Sequence, residues 1–451
     1  MQSTKESRET LDWLAEQLKP SNDFVSKPLH MDEKHMELLY IKTVIDGDKL
    51  QQLIIKPFFE LVNDLHVEAY LNSLPNVQDI KGKEQIALEL TKGSVVVAVR
   101  DQLVLLDIKK VNTDTVLQTS IEPTIQGPQL SLSEDISTNI NLIRQRYHKP
   151  SLTVEMMEIG EKTHQSLAII YDEDVVLKDV LERIKRKLNS LKIPAIQSTS
   201  ELNRLLNEKK RSLMPIMMLT ERTDRVVYNL AGGKVILLLD GGHTTVMAPV
   251  VFMDFMTSMD DKYQSYWITK FLKFLRYFGL FACLTLPGLY VAATSYNPEV
   301  FRVELALTIA GSRIGVPYPS FIEVLFMLII MELLTEASIR LPKAVTGTAT
   351  TVGGLILGQA ATEAALASNI MIILVAAVAI STFVIPINEM SFAIRVIRFV
   401  LLAFSSFAGL AGLVFGLIWI LMYLTQLESF GQPYFKIYLQ SKRSETRGSS
   451  T

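Results

Sequence analysis

The chain has 451 residues, 49% of them hydrophobic and 20% charged, with a net charge of -2. That length allows roughly two or three domains, and the charge balance gives no reason to expect a nucleic-acid partner. Its single cysteine, Cys283, excludes disulfides within the chain and any zinc site built from thiolates.

Residues 1–35 read as a polar lead-in with an amphipathic helix near residues 11–18. The opening stretch MQSTKESRETLDWLAEQL lacks the apolar core of a signal peptide, so the first half is expected on the cytoplasmic side of its membrane. Residues 36–245 read as a mixed α/β region in two subdomains, because strand and helix patterns alternate. MELLYIKTVI reads as a strand, LQQLIIKPFFELVND as a helix, and KGSVVVAVRDQLVLLDI as a hairpin turning at Arg100 and Asp101. SEDISTNINLIRQRY and LKDVLERIKRKLNSL read as helices, SLAIIYDEDVV and AGGKVILLLDGG as buried strands.

Residues 246–277 read as an amphipathic segment on the membrane surface. Tyr266 and Trp267 alternate there with Lys262, Lys270, Lys273 and Arg276, the pattern of an interfacial anchor. An all-α polytopic membrane domain of about four to six helices is then expected over residues 278–427. Its candidate spans are residues 278–294, 321–339, 346–366, 370–387 and 399–424. A polar, basic tail follows at 428–451. The positive-inside rule places the basic clusters at 270–276, at Arg340 and Lys343, at Arg395 and Arg398, and in the tail on one side. A single unbroken last span would put the tail on the other side. Either that span is broken near residues 409–412, or the tail departs from the rule.

The segment 345–368, VTGTATTVGGLILGQAATEAALAS, is a poor lipid-facing helix. At about 100° per residue, Gly347, Gly354, Gly358, Ala361 and Ala365 share one face. Thr348, Val352, Leu355, Gln359 and Glu363 share another. Small residues let helices approach closely in lipid, and polar groups at membrane depth need a partner or a wet path. The first face reads as a packing seam and the second as a candidate pore lining. Three further carboxylates fall in span 321–339. Glu336 has Arg340 as an i,i+4 ion-pair partner, Glu332 has no local partner, and Glu323 is expected at an exposed membrane boundary. The six histidines do not cluster, and His30 and His35 read as solvated. The turn Asp240–Gly241–Gly242–His243 has neither the lysine nor the glycine spacing of a nucleotide site. No catalytic constellation, metal set or cofactor motif stands out, so an enzyme is not expected.

Several stretches together carry a family resemblance: PTIQGPQLSLSEDISTNINLIRQRY, MEIGEKTHQSLAIIYDEDVV, ERTDRVVYNLAGGKVILLLDG, LPGLYVAATSYNPE, VPYPSFIEVLFMLIIMELLTEASIRLPKAVTGTATTVGGLILGQAA, RVIRF and ESFGQPYF. The chain resembles the A subunits of GerA-type germinant receptors of spore-forming bacteria, over about residues 36–439. Thr223 stands where the family usually has proline in ERPD. Ser338 replaces glycine in EAGIRLP, and Gly127–Pro128–Gln129–Leu130 replaces a more charged run.

The resemblance implies a multi-pass protein of the spore inner membrane with a cytoplasmic N-terminal region and no cofactor. It implies a permease-like, nutrient-binding B subunit and a lipoprotein C subunit as partners, with membrane lipid around the helices. It further implies a homo-oligomer, with a ring of five as the proposed form, that releases monovalent cations on nutrient binding. The alternatives are a stage V sporulation AF-type paralogue that amplifies germination, and a non-conducting scaffold of the receptor complex.

Overall fold

A computed structural model describes residues 2–435, apart from positions 33, 81, 101, 111–121, 123 and 208–211. The tail residues Lys436, Lys442, Arg443 and Arg447, the turn residue Asp101 and the side chain of Lys343 lie outside the described residues.

Two five-stranded sheets build the N-terminal region. The first has the order Phe24–Met31, Lys34–Ile41, Ser94–Val99, Gln102–Asp107, Val77–Gln78. The second has the order Leu152–Ile159, Gln165–Asp172, Val235–Leu239, Thr245–Ala248, Met218–Thr220. Every ladder among the described residues of these sheets is antiparallel. The mixed α/β region thus consists of two antiparallel sheets with helices packed on them. The reason lies in the connections. Ser94–Val99 turns into Gln102–Asp107 through Arg100, which takes a left-handed φ of 53°. A parallel partner would need a crossover of about a dozen residues or more.

Strand Ser94–Val99 is apolar throughout because both its faces are covered. Val95 and Val97 pack with Phe58 and Leu71, while Val96 packs with Leu14, Leu18 and Leu90. Helix Gln2–Leu18 is thus a cover for the first sheet. Residues 24–31, within the stretch read as a lead-in, form an edge strand paired residue for residue with Lys34–Ile41. This register sets His30 opposite His35, their Nδ1 atoms 2.6 Å apart on the exposed hairpin.

A buried clamp joins the two sheets. Asn22 N–H donates to Val154 O at 2.8 Å, and Arg144 Nε and Nη2 each donate to the Asp23 carboxylate at 2.7 Å. The Ser21 and Thr43 hydroxyls donate to the same carboxylate at 2.6 Å. Burial by itself would raise the Asp23 carboxyl; the Arg144 guanidinium and the two hydroxyls outweigh it and hold it below the usual carboxylate range. A depressed carboxyl contributes stability above its unfolded pKa, about 4, and loses it as pH falls through the folded value. The stability gap between the native chain and Asp23→Asn should therefore be full at neutral pH. It should close in acid unfolding series below about pH 4; an equal gap at both ends of the series would contradict the clamp.

From Tyr266 the chain is largely helical: Tyr266–Ser295, Val303–Ser312, Ser320–Arg340, Lys343–Glu363, Asn369–Phe383 and Asn388–Thr425. Among the described residues, Tyr266–Ser295 and Asn388–Thr425 are long and apolar enough to cross a membrane. The expected surface segment 246–277 is divided: Thr245–Ala248 is a buried strand of the second sheet and Phe252, Phe255 and Met259 are buried, while residues 266–277 share one 30-residue helix, Tyr266–Ser295, with the expected span 278–294. Helix Asn388–Thr425 is broken at Ala408 (φ −133°, ψ 18°) and Gly409 (φ 57°, ψ −135°). Beyond the break the chain doubles back. Gly416 lies against Leu401 and Phe404, and the Trp419 and Phe404 rings are 6.4 Å apart. In an unbroken helix, positions 401 and 416 would be about 22 Å apart. Of the two alternatives for this stretch, the geometry takes the break.

Both ends of the broken helix meet the N-terminal region. Leu219 N–H donates to the Glu389 carboxylate at 3.4 Å, and Leu213 N–H to the Tyr423 hydroxyl at 3.0 Å. Further on, Val250 N–H donates to Ser429 Oγ at 3.1 Å and Phe252 N–H to Tyr434 O at 2.9 Å. At the opposite end of the bundle, Tyr296 packs on Gly409, and Ser295 hydrogen-bonds Ser320.

Candidate functional site

Helix Lys343–Glu363 carries both predicted faces. On the small-residue side, Cβ atoms placed on Gly353 and Gly354 would meet Leu334 at 3.5 and 3.6 Å, and one on Gly358 would meet Ile372 at 3.9 Å. Gly354, Gly358 and the buried Ala361 are thus brought together against helices Ser320–Arg340 and Asn369–Phe383 of the same chain. Gly353, absent from the predicted seam, belongs to this contact. Gly347 faces open space, and Ala365 lies past the helix end with a φ of 53°. On the other side, Thr348, Val352, Leu355, Gln359 and Glu363 are all exposed. Gln359 Nε2 donates to Glu363 Oε1 at 2.9 Å, so the two polar groups form one i,i+4 unit.

The carboxylates of helix Ser320–Arg340 differ in fate. Glu336 pairs with Arg340 at 2.8 Å, both side chains exposed, an interaction worth about 0.3–0.5 kcal/mol. Glu332, expected to lack a partner nearby in sequence, has two from a distant helix: Arg395 at 2.9 Å and the fully buried Arg398. Arg398 Nη1 also reaches Thr382 Oγ1 at 3.5 Å and Cys283 Sγ at 3.7 Å, tying helices 266–295, 320–340, 369–383 and 388–425 at one point. The exposed boundary expected for Glu323 is corrected: it is 1% exposed. It accepts from Arg313 Nε at 3.1 Å and from Ser368 N–H at 2.8 Å. That bond holds the turn that ends the small-residue helix, which local sequence could not reveal.

The predicted surface anchor splits. Tyr266, Trp267 and Lys270 are exposed, and Lys273 is half-buried. Lys262 instead lies 3.5 Å over the Tyr228 ring, and Arg276 Nη2 donates to Asp261 Oδ1 at 2.8 Å, so these two cations hold the N-terminal region.

A second ionic network was not singled out from the sequence. Arg222, fully buried, donates from Nη2 to Asp224 at 2.8 Å and from Nη1 to Asp260 at 3.4 Å. Arg225 Nε donates to Glu122 at 3.0 Å, and the Tyr263 hydroxyl to Asp224 at 3.0 Å. Burial would raise the Asp224 carboxyl, but Arg222 and Tyr263 hold it below the usual range. The network leads from helix Thr223–Ala231 through residues 258–263 to Arg276 on the first long helix. Its signal in the sequence is ERTDR, opposite charges set between apolar runs, which buried positions tolerate only when paired. No group of residues able to hold a metal ion occurs among the described residues.

The family described as Bacillus/Clostridium GerA spore germination protein matches residues 12–449. The chain is 30% identical over 425 residues to spore germination protein KA of Bacillus subtilis (strain 168), covering 92% of this chain and 78% of that protein. It is 29% identical over 417 residues to the uncharacterized membrane protein YfkQ of the same organism, covering 91% and 81%. Among solved structures, the N-terminal domain of the A subunit of the Bacillus megaterium spore germinant receptor GerK3 is similar, with 21% identity and a TM-score of 0.40. That match covers 54% of this chain and 94% of the other. The chain belongs to the GerA family of spore germination proteins, whose members are receptor A subunits and not enzymes.

Proposed function

We propose that the chain is the A subunit of a nutrient germinant receptor and that several copies assemble in the spore inner membrane as a cation channel. A permease-like B subunit binds the nutrient and a lipoprotein C subunit completes the complex. The two sheets, with the strand Thr245–Ala248 and the buried residues up to Met259, form the cytoplasmic region; the exposed aromatic and basic start of helix Tyr266–Ser295 lies at the membrane surface, and the helices up to residue 427 form the membrane domain. The observation that carries the channel reading is helix Lys343–Glu363. Its glycine face is packed within the chain, while Thr348, Val352, Leu355, Gln359 and Glu363 stay exposed. An amide and a carboxylate facing lipid are costly, and a ring of copies around a wet path removes that cost. Arg276 and Arg340 lie at the end of the bundle that meets the N-terminal region, as the positive-inside rule expects of a cytoplasmic side.

Opening needs the nutrient-bound partner to favour one conformation differentially. The ionic network ending at Arg276 is the surface through which the soluble region would feel that change.

The test is potassium release from vesicles holding the reconstituted A, B and C subunits. Glu363→Lys, alone or with Gln359→Leu, is expected to slow nutrient-triggered release about tenfold or more, since a cation in the lining raises the barrier to cations. Release at the native rate from well-assembled variants would remove the pore assignment and leave the scaffold.

A further inference from the structure

A cavity of about 510 Å³ lies where the soluble region meets the start of helix Asn388–Thr425. This size falls within the range of about 300–1,000 Å³ typical of small-molecule sites. One wall is the turn at residues 241–244, which the structure holds firmly. Ile136 N–H donates to Asp240 Oδ1 at 3.2 Å, Gly241 N–H to Glu134 O at 2.8 Å, and Gln165 Nε2 to Asp240 O at 2.6 Å. Beside the turn, the Thr199 and Thr244 hydroxyls bond each other, and His243 also lines the cavity. Glu122, the other acid in the lining, is held by Arg225.

Glu389 differs. Its carboxylate lines the cavity and accepts one long hydrogen bond, from Leu219 N–H at 3.4 Å. None of the ion pairs among the described residues reaches it. Leu219, Ile387 and Phe392 place apolar surface beside it. Burial against hydrocarbon disfavours the charged form of a carboxylate that has no counter-ion, and a cation arriving beside it would favour that form and be bound by it. The matching ligand has a primary ammonium head and a short apolar body.

We propose that this cavity binds small primary ammonium compounds, with Glu389 as counter-ion, and that occupancy braces the soluble region against helix Asn388–Thr425. The position has a structural consequence. Phe392 lies under the Arg395 guanidinium at 4.5 Å, and Arg395 pairs with Glu332. A ligand seated on Phe392 therefore touches the ion lock of the helical bundle.

The inference needs only the contact between the soluble region and this helix, not conduction, so its test reads binding alone. The full chain, purified in detergent, is titrated calorimetrically with n-butylammonium, with n-butanol and butyrate as the neutral and anionic counterparts. Saturable binding of butylammonium alone is expected, with at least about tenfold weaker binding in Glu389→Gln. Should that variant fail to fold, Asn388→Tyr fills the cavity from an exposed position and should abolish binding. No saturable binding of butylammonium, equal binding of butanol, or unchanged affinity in the folded variant would overturn the proposal.

Discussion

Glu332→Ala is expected to destabilise the helical bundle by about 3–5 kcal/mol, because it leaves two arginines without their shared carboxylate. Arg398 is fully buried, and its other neighbours, Cys283 and Thr382, are a weak acceptor and a hydroxyl at 3.7 and 3.5 Å. Replacing the cluster by hydrocarbon is a different operation. Combining Glu332→Leu with Arg398→Met and Arg395→Met should recover most of the loss, since no charge is then stranded. Denaturant titration of the detergent-purified chain distinguishes the cases. A single alanine variant as stable as the native chain would show that the three groups do not lock the helices.

The second large effect is expected at Gly412. A Cβ there would lie 2.0 Å from Phe404 O, and that atom belongs to the backbone of the other arm of the hairpin. No rotamer change relieves such a contact, so Gly412→Ala should open the reversal at residues 408–409. Its cost should exceed the 1–3 kcal/mol typical of overpacked side chains, reaching roughly 3 kcal/mol or more. Gly416→Ala meets the end of the Leu401 side chain at 2.7 Å and should be milder. The readout is topological as well as thermodynamic. A cysteine at Gln426 should be labelled from the same side as the N-terminal region in the native background and lose that sidedness in Gly412→Ala. Identical labelling and stability in both backgrounds would contradict the hairpin.

Legibility followed the range of the interaction. Strand Ser94–Val99 was readable because its apolar run reflects burial on both faces. Strand Phe24–Met31 was not, because an edge strand with Pro28 and exposed polar side chains carries little periodic signal. A break near residues 409–412 was one of two readings of the basic clusters, but the sequence cannot say that the neighbour of Gly412 and Gly416 is the same helix folded back. The exposed polar face of Lys343–Glu363 follows from side-chain chemistry; of the seam residues, Gly347 faces open space within the chain and Ala365 follows the helix end. Partners of Glu332 and Glu323 lie on other elements, so a local reading left one unpaired and the other exposed. The cavity at Glu389 is assembled from segments far apart in the chain, and only the fold brings them together.

The central claim is that Thr348, Val352, Leu355, Gln359 and Glu363 face an ion path while the glycine side faces the protein. Cys283 is buried and is the chain's single cysteine, so introduced thiols can be read against a quiet background. Gln359→Cys and Gly354→Cys receptors, reconstituted with their partner subunits, are exposed to a cationic thiol reagent during nutrient-triggered potassium current. The account predicts that modification blocks the current at position 359 and leaves it untouched at position 354. Block at 354 with none at 359, or no effect at either, would contradict it.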